Sequence, residues 1–599
     1  MKSRLAILVC LGMLLVPGLA LPAAAQDVPS QQFPNLMLPA GFKVEKVVDG
    51  LTYPTGITWD DKGQMYVAEA GGNFLEEPPP ARILRIEPGK ATEVVSFAGK
   101  DVLASVVGLT YYQGAFYFSH KDPSDRSGAI SKVTMDGNVT KLLTGFIDSQ
   151  SEHQINDLRV GPDGKMYFGN GPTGNSGVVG IDIAPFVARS PMEHTTACQD
   201  IVLTGVNFET PDFRTKDNPN DTARTGAYVP FGTETTPGQR IPATKKCGGA
   251  VFQFDPANPE GSLKTYAWGL RNVIGLTWDK QGNMYAGVNG YDVRGSRPVN
   301  DEYDPTYRIT EGTWYGFPDY SASLDPLTDP KYDVPDTLKT PMFLNGQPQK
   351  GLGFVIDHAA SGLKAPDKGL IAGLHEGDAS PSMLDVAPDS WGDMAGQLFV
   401  AEWGDLAPAT NPLLDHPVGY RVVRIDPATK KAVPFLYNAM PGPASKQNAT
   451  GQGLERPFAV RFGPDGAMYI SDYGIGNVNM ARIAEGKTPY EFPEKTGAIW
   501  KVTRTGAVSS PPAQPPAQPP AQPTAIPATQ PTAMPIAQPV MQPTAMSGPT
   551  TSPGTNPPGM PHTGSPTGDS NFMWPPIAAL GIAGLGLTLR RRLDGHKTR

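Results

Sequence analysis

One pattern recurs six times along this chain and limits its fold more than any other feature. It runs as a small residue or proline, two or three apolar residues, a turn ending in glycine, then an aromatic-rich run. The copies are "PTGITWDDKGQMYVAEAG" at 54–71, "VVGLTYYQGAFYFSHKD" at 106–122, "INDLRVGPDGKMYFGNGP" at 155–172, "VIGLTWDKQGNMYAGVNG" at 273–290, "SPSMLDVAPDSWGDMAGQLFVAEWG" at 380–404 and "PFAVRFGPDGAMYISDYG" at 457–474. Each reads as a β-hairpin. The alternating Tyr, Phe, Val and Ile suit strands. Gly63, Gly114, Gly164, Gly282, Gly396 and Gly466 supply the left-handed turn position. Runs such as "RILRIEPGKATEVVSF" and "YRVVRIDPATKKAVPFL" add a second hairpin to the first, which makes about four strands per unit. The base period is roughly 50 residues, lengthened by insertions at 173–247 and 291–379. An all-β, six-bladed β-propeller over 41–506, with long insertions in its middle blades, accounts for this spacing. "GFKVEKVV" near the start and "GAIWKVTRTG" near the end are placed to close the ring. Two β-sandwiches are the rival architecture, and six matching hairpins favour the ring.

The two ends have other purposes. Lys2 and Arg4, the apolar run Leu5 to Leu21, and Ala23-Ala24-Ala25 read as a signal peptide over 1–25. Residues 26–40 form an N-terminal lead. Over 507–559 the chain becomes an uncharged Pro/Ala/Gln/Thr tract, "SSPPAQPPAQPPAQPTAIPATQPTAM" and onward, which is expected to be a disordered, extended stalk. Roughly 50 such residues at about 3.1 Å each span on the order of 150 Å. Residues 560–599 carry "MPHTG", an apolar stretch from Phe572 to Leu589 and Arg590-Arg591-Arg592. The stretch is just long enough for a transmembrane anchor with the arginines on the cytoplasmic side. This tail resembles the sorting signals cut by sortases, with Met560 in place of the usual leucine. An exported domain anchored to the cell envelope through its C-terminus follows from either reading.

Export bears on the cysteines. Cys10 leaves with the signal peptide, so Cys198 and Cys247 remain. A lone pair in an exported chain is expected to form a disulfide, here across a long polar loop with little core of its own. The net charge of −8 lacks the basic face of a nucleic-acid binder. The chain shows no clustered His/Cys metal set, no Gly-rich phosphate loop and no Gly-x-Ser-x-Gly elbow.

The segments "WGLRNVIGLTWDKQGNMYAGVNG", "NDEYDPTYRITEGTWYGFPDY", "EHQINDLRVGPDGKMYFGNG" and "GQLFVAEWG…PVGYRVVRIDP" resemble the soluble quinoprotein glucose/sorbosone dehydrogenase family, and the similarity spans 41–506. The resemblance implies a six-bladed propeller that binds pyrroloquinoline quinone and calcium. It also implies oxidation of the anomeric hydroxyl of an aldose to the lactone, with electrons passed to an external acceptor. His153 matches the base that takes the hydroxyl proton, a task that needs a neutral imidazole. Arg271, Asn272 and Arg456 match cofactor-binding positions, where cations meet the quinone's carboxylates. Asp301, Glu302 and the carbonyl of Tyr315 match a calcium site, and oxygen ligands suit that ion. The family commonly has a second arginine two residues after the position of Arg456; this chain has Phe458. The family's fifth-blade lysine has no counterpart among Glu402, Trp403 and Gly404, which leaves Lys121 and Arg294 as further cations.

Two other functions fit the same scaffold. The first is a non-catalytic propeller that binds a carbohydrate or protein and has lost the cofactor. The second is a metal-dependent lactonase, for which Asn156, Asp157, Asn170, Asn272 and Asp385 lie on or near the inner strands.

Overall fold

The computed structural model describes residues 27–72, 80–215, 218, 220–485 and 487–505. These residues are mostly β and form a propeller-like ring of sheets. The expected signal peptide, stalk, sorting sequence and anchor lie outside them. Among the described residues no helix is long and apolar enough to cross a membrane.

Each of the six hairpins seen in the sequence opens a sheet. From its innermost strand outward, the first sheet runs Pro54–Trp59, Met65–Glu69, Arg82–Glu87 and Lys90–Ser96. The second runs Leu109–Tyr112, Ala115–Lys121, Gly128–Thr134 and Val139–Phe146. The third is Ile155–Val160, Met166–Asn170, Ala250–Phe254 and Lys264–Trp268. The fourth is Asn272–Trp278, Met284–Asn289, Tyr303–Ile309 and Ile371–Glu376. The fifth begins Pro381–Val386, Leu398–Glu402, Arg421–Asp426 and Lys431–Asn438. The sixth is Pro457–Phe462, Met468–Asp472, Gly497–Arg504 and, outermost, Phe42–Leu51. The innermost strands touch in this order, and that of the sixth sheet touches that of the first. The circuit is closed by the two ends of the domain, with Phe42 opposite Arg504 and Leu51 opposite Gly497. This is the expected pairing of "GFKVEKVV" with "GAIWKVTRTG".

All six turn glycines have φ between 74° and 82°, which glycine adopts without a Cβ clash. The aromatic that follows each turn packs between neighbouring sheets. Tyr66 meets Phe116 at 4.9 Å, Tyr167 meets Trp278 at 5.2 Å, and Tyr469 meets Trp59 at 5.5 Å between ring centroids. Such pairs contribute about 0.5–1.5 kcal/mol beyond their burial. The aromatic half of the repeat is therefore what glues one sheet to the next.

The N-terminal lead is built into the ring: Leu36–Pro39 pairs with Lys431–Asn438, and Asp27–Pro29 pairs with Leu36–Pro39, extending the fifth sheet. One segment differs from expectation. The span 291–379 is not wholly an insertion, because it carries both outer strands of the fourth sheet. The excursion between those strands joins the other insertion in a sheet of Thr222–Gly226, Val206–Pro211, Met342–Leu344 and Gln347–Gln349. Cys198 and Cys247 form the expected disulfide, with Cα atoms 5.1 Å apart.

Candidate functional site

The repeat puts one position of every sheet around a common space. Thr55, Asn156, Asn272, Ser382 and Phe458 each stand at or next to the start of an innermost strand, and Val107 occupies the matching place before the second. All six line a single cavity of about 190 Å³. Residues just past the second strands, including Tyr473, add to its wall.

His153 and Arg271 line this cavity with Asn272. His153 precedes the third sheet's innermost strand and is buried. Its Nδ1 lies 2.8 Å from the carbonyl of Pro172. A carbonyl only accepts, so Nδ1 carries the proton and Nε2 keeps its lone pair. Burial first, then the charges of Arg271 and Arg294, push the imidazole down to about 4, against the opposing pull of Glu152. The Oε1 of Glu152, 3.6 Å from Nε2, therefore faces a neutral ring and forms no ion pair with it. Gly171 makes room for this arrangement. A Cβ there would lie 2.5 Å from the His153 Cβ and 2.8 Å from the Asn272 Oδ1.

Asn272 accepts a hydrogen bond from Asn156 Nδ2 at 3.0 Å. Arg271 donates to the Asn175 carbonyl at 2.9 Å and pairs with Asp292 at 2.7 Å. Arg294, four residues past the fourth hairpin, holds Asp292 at 2.7 Å, Asp182 at 2.9 Å and Glu152 at 2.5 Å. Its charge holds Glu152 below the usual carboxylate range despite burial, and Arg271 first, then Arg294, do the same at Asp292, whereas at Asp182 burial wins and the carboxyl is pushed up to about 6. Three further acids line the cavity, Asp304, Asp378 and Asp405. Asp304 accepts from the backbone N–H of Gly290 and of Ser380, and burial raises it well above its ordinary value. Asp378 accepts from Asn411 and is pushed up to about 7, by burial first and Asp292 second. Opposite stands an aromatic wall of Trp403, Phe458, Tyr473 and Phe492.

Arg456 does not line the cavity. Its buried guanidinium lies 4.2 Å from the Trp403 ring centroid and donates to the carbonyls of Gly404 and Asp405. It braces the aromatic wall from behind, and Phe458 takes the place at the surface. Asp301, Glu302 and Tyr315 are also outside the cavity. Asp301 is half-buried, with Oδ2 accepting from Ala322 N–H and Oδ1 without a partner. Glu302 exposes its carboxylate 3.9 Å from Lys331. Tyr315 sits in the core and donates its hydroxyl to the Arg308 carbonyl. Calcium takes six to eight oxygens. With the Tyr315 carbonyl counted, one buried free carboxylate oxygen and one carbonyl fall short of that set, so these residues do not fit the ion. Among the described residues no three His, Cys, Asp or Glu side chains converge as a metal set. Side chains proposed for a lactonase metal hold other partners, although Asp157 keeps one oxygen, Oδ1, without any. Asp157 accepts from Arg461 at 2.6 Å, Asp385 from Thr277 at 2.9 Å, and Asn170 from Ser149 at 2.7 Å.

Pyrroloquinoline quinone carries three carboxylates, and a buried site must balance them with cations. Lys121, Arg271 and Arg294 line the cavity. Both arginines are already neutralised by Asp292, Asp182 and Glu152, and Arg456 is turned away. The residues present do not fit a tri-anion; their charge balance suits a ligand without net charge. Reasoning from sequence missed Glu152, Asp292, Asp304, Asp378 and Asp405. The available signal was position: Glu152 is next to His153, and Asp292 follows the fourth hairpin directly.

No family model matches the sequence, and no curated protein matches it. Solved structures resemble it distantly. One is the pyrroloquinoline-quinone-bound aldose sugar dehydrogenase of Streptomyces coelicolor, 15% identical, with 78% of this chain and 99% of that one covered and a TM-score of 0.41. Another is the pyrroloquinoline quinone domain of the Coprinopsis cinerea pyranose dehydrogenase, at 16% identity, 80% and 98% coverage, and a TM-score of 0.43. A third is the calcium structure of a Trichoderma reesei carbohydrate-active enzyme of family AA12, at 12% identity, 80% and 99% coverage, and a TM-score of 0.45.

Proposed function

We propose that the protein is an exported six-bladed propeller that binds a sugar in this cavity and oxidises its anomeric hydroxyl, with His153 as the base. The observation that carries this reading is the state of His153. It is neutral, with its proton fixed on Nδ1 by Pro172, and it lines the cavity. A lone pair held in this way is what a hydroxyl proton needs at neutral pH. Asn156 and Asn272 offer amide groups to sugar hydroxyls, and the aromatic wall offers a face for the sugar's C–H side. In the oxidation the O–H proton passes to His153 Nε2, the C–H hydrogen leaves with its electron pair to an external electron acceptor, and the ring carbon becomes the lactone carbonyl. No step is assigned to pyrroloquinoline quinone or calcium, since the residues present do not fit them. The signal-like and anchor-like ends support a location on the outer face of the cell envelope.

The test is dye reduction by the purified protein with a panel of aldoses, run with and without added pyrroloquinoline quinone and calcium. Sugar-dependent reduction without additions supports the reading. Reduction that requires the quinone keeps the enzyme but overturns the charge-balance conclusion. The neutralised cavity cations favour a second reading, a carbohydrate-binding propeller. Saturable sugar binding with no reduction under either condition would establish that one instead, and lactone hydrolysis would establish a third.

A further inference from the structure

We propose that Lys121 is a covalent site within the cavity, whose amine condenses with the carbonyl of a small aldehyde or ketone such as an open-chain sugar to form an imine. Lys121 ends the second strand of the second sheet, is 6% exposed, and still lines the cavity. Its Nζ donates to the carbonyl of Ser151 at 2.7 Å, and among the described residues it forms no salt bridge. In this it differs from Arg271 and Arg294, whose charges are matched by carboxylates. Glu193 exerts the strongest charge influence on it. That carboxyl is 1% exposed, and neither of its oxygens has a hydrogen-bond partner. Ser151 Oγ is also buried without a partner. At the cavity wall the Lys121 amine thus meets a backbone carbonyl and no carboxylate, which leaves the cavity's one lysine without a counter-ion among the described residues.

Burial shifts the two groups toward their neutral forms. It lowers Lys121 to about 8, with Glu193 and Glu152 opposing and Arg126 and Arg189 assisting. It raises Glu193. The neutral amine is the nucleophile that imine formation requires. Nζ adds to the carbonyl carbon, the two hydrogens of the amine leave with the carbonyl oxygen as water, and a C=N bond replaces the C=O bond. Amine plus carbonyl gives imine plus water, with no net change of protons or electrons. The inference stands on the cavity and on Lys121, so it does not depend on His153 acting as a base.

The test is reductive trapping. The full-length protein is incubated at pH 7 with glycolaldehyde and cyanoborohydride, and the time course of adducts is mapped by peptide mass spectrometry. An amine lowered by two to three units has on the order of a hundredfold more free base at neutral pH than an ordinary lysine. Lys121 is therefore expected to be modified on the order of a hundredfold faster than exposed Lys62 and Lys90. Lys121→Arg should lose the fast adduct and keep the slow ones. Modification of Lys121 at or below the rate of Lys62 and Lys90 overturns the proposal, whatever the outcome of the dye assay. The wild-type map decides this even if the variant does not fold.

Discussion

At the scale of single residues, the site depends on one small residue as much as on its histidine. Gly171→Ala would put a methyl group against the His153 Cβ and the Asn272 Oδ1. Overpacking of this kind costs about 1–3 kcal/mol and tips the imidazole off the Pro172 carbonyl. Sugar oxidation is expected to fall at least tenfold while the protein still folds, as measured by turnover alongside a melting curve. The depressed His153 pKa gives a second prediction. A base works when unprotonated, so turnover should hold as pH falls from 8 to about 5 and drop below about 4, where the ring gains its proton. A loss centred near the ordinary value of 6.5 would show that the ring is not desolvated. His153, Arg271 and Asn272 were named from the family resemblance of their segments, and all three line the cavity. Arg456 was named in the same way, but its side-chain direction depends on Trp403 and the carbonyls of Gly404 and Asp405. These come from a different repeat, and one segment read alone cannot show them.

The hairpins explain more at the scale of the element than the bare repeat suggests. In four turns an aspartate accepts a hydrogen bond from the tyrosine on the following strand: Asp60 from Tyr66 at 3.2 Å, Asp163 from Tyr167 at 3.0 Å, Asp279 from Tyr285 at 3.1 Å, and Asp465 from Tyr469 at 2.9 Å. The same carboxylates also accept from backbone N–H groups of their own turns, as Asp163 does from Lys165 and Asp465 from Ala467. Tyr167→Phe keeps the ring's packing against Trp278 and removes one charged hydrogen bond. It should cost about 1–2 kcal/mol in denaturant unfolding, and a change within error would show the clasp is idle. A buried polar residue recurs near the end of the second strands, as Glu69, His120, Asn170, Glu402 and Asp472. Glu402 does not face the cavity. It binds His375 at 2.8 Å and Arg421 at 2.6 Å, tying its sheet to the fourth. Hairpins were legible because strand, turn glycine and aromatic are contiguous. The outer strands of the fourth sheet were not, since Tyr303–Ile309 and Ile371–Glu376 are separated by a long excursion and no local signal joins them.

At the scale of the whole molecule, the ring buries charge at its centre and along the cavity. Arg461 of the sixth sheet reaches Asp157 of the third at 2.6 Å and the Leu384 carbonyl of the fifth at 2.8 Å, joining three sheets near their innermost strands. Breaking such a buried pair from one side is costly. The buried acids set how stability changes with pH. Asp148, Asp378 and Glu455 are pushed up to about 7 and Glu193 to about 8, each chiefly by burial. Between pH 6.5 and 8 the unfolded chain has already released these protons while the native protein still holds part of them. Stability must therefore fall as pH rises through that window. His120 and His153, lowered to about 4, act oppositely below 6.5, and Lys121, lowered to about 8, opposes in part at the upper end of the window without outweighing the four acids. The melting temperature is expected to decline steadily from pH 6.5 to 8; a rise would mean that the acids are ionised in the native state. The ring and its closure were legible in the sequence. The balance of charge in the cavity was not, because it depends on which distant acids reach Arg271 and Arg294. The most direct test of the whole account is the rate of sugar-dependent dye reduction by His153→Gln beside the wild type at pH 7. Loss of a positioned base lowers rates by about 10²–10⁴-fold. A fall of that size with an unchanged melting temperature is the predicted result, and a rate equal to that of the wild type would contradict it.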